Sequence, residues 1–223
     1  NCNGWNRCVE DCPYEAIRLV PRTDGAPFAR QAQVSPDLCV ACGICMGACP
    51  SSTPFRRAQD LKTGIDLPGQ PLAEVRDQVA AAAAGLAGNA RVLVLACEHG
   101  AGGGDAGNGV VAFPCVAMVP PPLIDYILSR ELADGVVVAG CGESACYNRL
   151  GVEWTKQRFA GTRDPYLRKR VPRERLATIW ASPFEAGRYE AEKAAFSGRL
   201  ETLEKTEPPA ARQGAEEGLE EEA

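Results

Sequence analysis

A run of four cysteines near the N-terminus constrains this chain more than any other feature. It reads C-x2-C-x2-C-x3-C-P over residues 39–50, a spacing by which thiolates wrap an iron–sulfur cubane. The chain holds 11 cysteines and one histidine in 223 residues. An odd count over this length disfavours a secreted disulfide framework, and tight thiolate clusters favour iron–sulfur or zinc sites in a reducing compartment. Zinc ribbons use paired C-x2-4-C motifs rather than this triple run, so iron–sulfur is the stronger interpretation.

The same run occurs earlier in a form that lacks one cysteine. Cys2, Cys8 and Cys12-Pro13 match its first, third and fourth positions, and Trp5 occupies the second. Indole offers no lone pair suited to iron. In two-cluster ferredoxins the fourth cysteine of each run ligates the other cluster. Carried over by position, this predicts a complete 4Fe–4S cluster on Cys12, Cys39, Cys42 and Cys45, and a three-cysteine site on Cys2, Cys8 and Cys49.

Three interpretations of the three-cysteine site stay open. The favoured one is a 3Fe–4S cluster, as in seven-iron ferredoxins, with Trp5 as a hydrophobic lid that excludes water. The second is a 4Fe–4S cluster whose unique iron takes hydroxide, a nearby side chain, or a ligand from a partner or an upstream segment. The third is that this cluster is lost and Trp5 packs as core.

The domain organisation follows from composition. Residues 1–57 are rich in Cys, Gly and Pro and are predicted to form an α+β ferredoxin-like iron–sulfur module, with short strands at 16–20 and 31–36. Residues 58–89 are predicted as a linker and a helix, the helix covering 71–88. Residues 90–203 form the second predicted domain. Residues 204–223 are rich in Pro, Ala and Glu and are predicted to be an acidic disordered tail.

Strands and helices alternate through the second domain. Apolar strands are predicted at 91–97, 109–115, 135–141 and 175–182, and helices at 121–133, 144–161, 166–171 and 183–203. This alternation predicts an α/β domain with a parallel sheet covered on both faces, of flavodoxin or Rossmann-like type.

The four remaining cysteines gather at one edge of that predicted sheet. Cys97, Cys115 and Cys141 each stand at the end of an apolar strand, and the carboxyl ends of parallel strands share one edge. Cys146 is predicted at the start of the next helix, where backbone N–H groups favour thiolate. Four thiolates suit a 2Fe–2S cluster or a structural zinc, and buried free thiols are the alternative. His99 is taken as a supporting neighbour rather than a ligand.

Two family resemblances join these motifs. Residues from about 90 to 181 resemble the delta subunit of methyl-viologen-reducing hydrogenases. Three segments carry the resemblance: VLVLACEHGAGG, VVAFPCVAMVPP and ADGVVVAGCGESACYNRLG. That family usually has a second cysteine at the position of Gly100, and Ser-Gly-Arg at 116–118. Residues 1–57 resemble the ferredoxin module in the A subunit of heterodisulfide reductase, which a delta-type domain follows in some members. The resemblance implies that the second domain carries a 2Fe–2S cluster and relays electrons to a flavin- or cluster-bearing subunit.

The function expected from these motifs is electron transfer within a multi-subunit oxidoreductase, with flavoprotein, hydrogenase or cytochrome-type subunits as partners. One histidine leaves no Cys–His or Ser–His pair, so no catalytic site of its own is expected. The alternative is an iron–sulfur redox or oxygen sensor, or an assembly module.

Charge and hydropathy limit the expected partners and location. The net charge of −5 disfavours nucleic acid as a partner, and no membrane span is expected because prolines interrupt the apolar run 109–124. We expect a cytoplasmic protein, with attachment to a membrane complex through a partner or an upstream segment left open. We also expect such an upstream segment, because Asn1 precedes a ligand by one residue.

Overall fold

The computed structural model of this chain describes residues 2–52, 63–104 and 109–206. The predicted acidic tail beyond residue 206 and residues 58–62 of the predicted linker lie outside these residues. Among the described residues, no helix combines the length and the apolarity that a membrane span requires.

The N-terminal unit is small and holds few buried apolar side chains of its own. It contains helix α1 (Arg7–Glu10), strands β1 (Ile17–Pro21) and β2 (Arg30–Val34), and helix α2 (Ile44–Ala48). The two predicted strands are both present, and they pair antiparallel with Ile17 opposite Val34. Cys8, Ala16 and Ile17 form the buried cluster beneath them. This apolar core is small for a unit that folds independently.

The second unit is built on a parallel sheet. Its strands are β3 (Val92–Cys97), β4 (Val110–Phe113), β5 (Gly135–Gly140) and β6 (Leu176–Trp180), in the order β4-β3-β5-β6. All neighbouring pairs are parallel, so the predicted parallel sheet is confirmed. Every residue of β5 is buried, which explains why this strand is a continuous apolar run rather than an alternating one.

Helices cover both faces of this sheet. Helices α3 (Leu72–Ala84) and α4 (Pro121–Ser129) pack on one face, and α6 (Ala186–Thr206) packs on the other. Helix α5 (Gly151–Ala160) contributes Val152 to the same core as α3 and α4. The sequence grouped α3 with the linker, but its buried residues belong to the core of the second unit.

Several predicted helices are shorter than expected, and the backbone explains most of the differences. The helix predicted at 144–161 begins only at Gly151, because Arg149 has a left-handed φ of 61° that interrupts a helical path. The helix predicted at 121–133 ends at Ser129, because Glu131 has a φ of 54°. The helix predicted at 166–171 is wrong; this stretch is irregular and lies between Pro165 and Pro172.

Tight backbone packing joins the two units. The turn Val116–Met118, which follows Cys115, is buried and lies against α2. A Cβ built on Gly47 would clash with the carbonyl oxygen of Ala117 and lie 2.8 Å from that of Met118. Only glycine at position 47 allows this approach, because a side chain there would meet the backbone of the turn.

Candidate metal centres

The three-cysteine set lines one open recess. Cys2, Cys8 and Cys49 share it with Trp5. The N–H of Ala32 donates to Cys2 Sγ at 3.4 Å. Burial, together with the neighbouring Cys49 and Cys2, raises the pKa of Cys8 to about 11. The fold therefore brings the three predicted residues together around a space that opens to solvent.

Trp5 stands at the rim of this recess. Its side chain lines the space but is 63 % exposed. The neighbouring backbone is unusual, with positive φ angles at Gly4 and Asn6 that turn the chain around the indole. Trp5 is not a core residue, so the interpretation in which it simply packs as core is wrong. Its indole lines the recess at the rim, and most of its surface stays in water.

The four-cysteine set of the first unit is also gathered. Burial raises the pKa of Cys45, and the thiols of Cys42, Cys12 and Cys39 add to that rise. Cys12 Sγ accepts the N–H of Ala16 at 3.3 Å. Thiols close enough to influence one another, with N–H groups directed at sulfur, suit a shared cluster. Cys39 is the exposed member, flanked by exposed Leu38 and Val40.

The second set of cysteines meets at the carboxyl edge of the parallel sheet. Cys97 ends β3 and Cys141 follows β5, and their Sγ atoms lie 3.6 Å apart. Two thiolates on one tetrahedral metal atom lie about 3.8 Å apart, since each metal–sulfur bond is about 2.3 Å. A Cβ on Gly151 would clash with Cys115 Sγ and lie 3.4 Å from Cys146 Sγ. Cys115 and Cys146 therefore crowd the first turn of α5, and Cys141 is hydrogen-bonded to both Cys146 and Cys97.

Backbone N–H groups point at each sulfur of this second set. Cys146 Sγ accepts the N–H of Val152 at 3.5 Å. The prediction that Cys146 begins the helix is wrong, since α5 starts five residues later, yet the N–H groups of that first helical turn still reach its sulfur. The remaining three sulfurs accept N–H bonds from Ala117, from His99 and Val116, and from Tyr147. Such donors stabilise thiolate over thiol.

The pKa values of the cysteines in this second set shift in different directions. The hydrogen bond with Cys141 lowers the pKa of Cys97, while burial raises the pKa of Cys115.

Within residues 2–52, 63–104 and 109–206, no three His, Cys, Asp or Glu side chains converge as a site for a single metal ion.

His99 contributes backbone rather than imidazole to this edge. Its N–H binds the sulfur of Cys97, and its ring stacks on Tyr147 with centroids 3.6 Å apart. Tyr147 is 67 % exposed and faces solvent at the outer side of the site.

A buried contact connects the first unit to the second-unit thiols. Cys42 packs against an apolar cluster that contains Ile44, Cys115 and Trp154. Tyr14 Oη donates to Asn148 Oδ1 at 3.0 Å, and Asn148 Nδ2 donates to the Pro114 carbonyl at 3.0 Å. These hydrogen bonds connect the segments that follow Cys12 and Cys146. We call this region, which includes Cys42, Tyr14, Cys115 and Asn148, the junction.

The junction also contains a buried ion pair that the sequence did not reveal. Asp11 lies between the predicted ligands Cys8 and Cys12, and it pairs with Arg158 and Arg163. Asp11 is 2 % exposed and Arg158 is 1 % exposed. An arginine on a helix is ordinarily a surface residue, so no local pattern marked Arg158. The sequence signal that could have marked Arg158 is its isolated position on the buried side of α5.

Clustered thiols, N–H donors and a cofactor-dependent core together define an iron–sulfur protein of two units. Residues 1–53 match the family model of the 4Fe-4S dicluster domain. Residues 104–204 match the family model described as methyl-viologen-reducing hydrogenase, delta subunit. This second range begins after Cys97 and includes the other three cysteines of the second set. No curated protein matches the chain. The predicted order of a two-cluster module followed by a delta-subunit-type domain is confirmed.

Proposed function

We propose that this chain is an electron-transfer module of a multi-subunit, hydrogenase-like redox complex. The observation that carries the proposal is the junction, where Cys42 of one site and Cys115 of another share one buried apolar cluster. Adjacent cluster sites with no solvent between them favour electron exchange, because transfer weakens steeply with distance. The matches to a 4Fe–4S dicluster domain and a hydrogenase delta-subunit domain support the same role.

Three clusters are assigned to the cysteines under this proposal. A 4Fe–4S cluster is held by Cys12, Cys39, Cys42 and Cys45. The recess at Trp5 holds a 3Fe–4S cluster on Cys2, Cys8 and Cys49, since the described residues that line it include no fourth thiol. A 2Fe–2S cluster is held by Cys97, Cys115, Cys141 and Cys146. A binuclear core is larger than an ion, so its four ligands need not converge on one point.

The order of the clusters follows from which of their cysteine ligands lie next to each other. Cys45 of the 4Fe–4S site packs against the buried cluster that contains Cys8 of the three-cysteine site, and Cys42 packs against the cluster that contains Cys115. The 4Fe–4S cluster therefore lies in the middle of a linear relay. Its exposed ligand Cys39 and the exposed Tyr147 beside the second set give separate surface approaches for flavoprotein, hydrogenase or cytochrome-type subunits.

An iron and acid-labile sulfide count on anaerobically purified protein tests the assignment. One 3Fe–4S, one 4Fe–4S and one 2Fe–2S cluster require about nine irons. About seven would mean that the second set holds no iron, and the second domain would then act as a docking module. Reversible reduction of all clusters without iron loss, followed by electron paramagnetic resonance, separates a relay from a protein that merely stores metal.

The second candidate is an iron–sulfur sensor or assembly module. One observation favours it: the three-cysteine recess is open to solvent, and a cluster there would exchange iron readily. Cluster loss in air coupled to a change of bound partner would support the sensor. Retention of all iron through repeated redox cycles would support the relay instead.

A further inference from the structure

The buried ion pair at the junction carries unequal charge. One carboxylate, Asp11, faces two guanidinium groups, those of Arg158 and Arg163. Arginine stays protonated in proteins, so the group bears a surplus of one positive charge. In the protein interior this charge is poorly screened and acts strongly on neighbouring charges.

Arg158 directs this surplus charge towards the second set of cysteines. Its Nη1 donates to the carbonyl oxygen of Ala117 at 2.7 Å, two residues beyond Cys115. Its Nε is buried and has no hydrogen-bond partner among the described residues. Arg163 stacks over the ring of Trp154 at 4.5 Å, and Trp154 belongs to the same buried cluster as Cys115. The guanidinium of Arg158 therefore lies beside the buried segment that follows Cys115, within electrostatic range of that thiol.

We propose that Arg158 is a positioning residue that raises the reduction potential of the cluster held by Cys115. Reduction adds one electron to the oxidised cluster and makes it more negative, with no bond made or broken. A fixed buried cation stabilises the more negative state, since net local charge is one determinant of cluster potential. The inference rests on the proposed function, because it requires a cluster on the second set of cysteines.

Three variants test the sign of this effect. Each is loaded with clusters and titrated anaerobically with dithionite in the presence of redox mediators, while the 2Fe–2S signal is followed by electron paramagnetic resonance. Arg158→Met is expected to lower the ratio of reduced to oxidised cluster at a fixed potential at least tenfold, which is a shift of about 59 mV for one electron. Arg163→Met is expected to act in the same direction but less, because its side chain is 27 % exposed. Asp11→Asn is expected to raise the ratio.

The direction of the shift distinguishes charge from disruption. Water entering a disturbed junction would raise the potential in every variant, because solvent stabilises the more charged state. A fall with Arg158→Met therefore requires the lost charge. Arg170→Met is the matched control. Arg170 also pairs with a buried aspartate, Asp125, but this aspartate lies on α4.

The outcomes separate this inference from the proposed function. An unchanged or raised potential in Arg158→Met, with an intact spectrum, overturns the inference and leaves the relay standing. If Arg158→Met does not load clusters, opposite shifts in Arg163→Met and Asp11→Asn support the inference, and shifts of equal sign overturn it. A wild-type protein without a 2Fe–2S signal overturns the proposed function itself.

Discussion

Trp5 occupies the one ligand position at which the repeat departs from its own pattern. The recess beside it is lined by three cysteines, and the indole lies at its rim rather than in the core. A residue exposed to this extent contributes little to stability, so position 5 is available for substitution. Under the proposed assignment, the side chain at position 5 decides whether the recess holds three or four irons.

Restoring a thiolate at position 5 should complete the cluster. We expect Trp5→Cys to raise the iron content from about nine to about ten and to remove the 3Fe–4S signal of the oxidised protein. Iron analysis and electron paramagnetic resonance check this. Trp5→Phe is the control and should leave the count near nine. A wild-type count of ten, or an unchanged count in Trp5→Cys, would contradict the assignment.

Gly47 allows the two units to approach each other. Because a Cβ at this position would clash with the backbone of Ala117, which cannot rotate away, we expect Gly47→Ala to destabilise the protein by about 1–3 kcal/mol. The melting temperature should fall by roughly 2–12 °C. Gly198→Ala, within α6 and with nothing near its Cα, is the matched control and should stabilise by up to about 1 kcal/mol. Equal effects of the two changes would mean that the contact is loose.

At the scale of elements, α6 is the helix of the described residues that covers one face of the parallel sheet over β5. Phe196 and Leu200 are fully buried, and both lie against Gly135 at the start of β5. A glycine in a strand marks a close approach, here by the large side chains of a helix. The helix is long and mostly polar, so its attachment depends on these few apolar residues.

Truncating one of these residues should loosen the helix. We expect Leu200→Ala to cost about 2–5 kcal/mol, from lost burial and the cavity left behind. Ser197→Ala, a half-buried position on the same helix, should change stability by less than about 0.5 kcal/mol. Urea denaturation followed by circular dichroism measures both. A small effect of Leu200→Ala would show that α6 is held by its other contacts.

At the scale of the whole molecule, the two units depend on different sources of stability. The sheet of the second unit lies between two buried apolar clusters. The first unit has only Cys8, Ala16 and Ile17 beneath its hairpin, and seven of the 11 cysteines. Metal binding and folding are coupled where a core is this small.

Removing the clusters should therefore unfold one unit and spare the other. After anaerobic chelation, we expect residues 2–52 to lose amide protection while β3 to β6 retain it. Hydrogen exchange followed by mass spectrometry resolves the two ranges, and the cluster-loaded protein is the reference. Simultaneous loss of protection in both units would mean that the Asp11–Arg158 pair makes them one cooperative body.

The sequence by itself determined the grouping of the cysteines, the hairpin and the parallel sheet. These follow from local patterns: ligand spacing along the chain, apolar runs, and the shared edge of parallel strands. Only the tertiary structure decided the junction, because Asp11 and Arg158 lie 147 residues apart and Gly47 meets Ala117 through backbone atoms. The turn at 116–118, where the sequence departs from the pattern of the delta-subunit family that it resembles, is covered by α2 of the same chain. Contacts of this kind depend on how two units pack, and no periodicity within either unit records them.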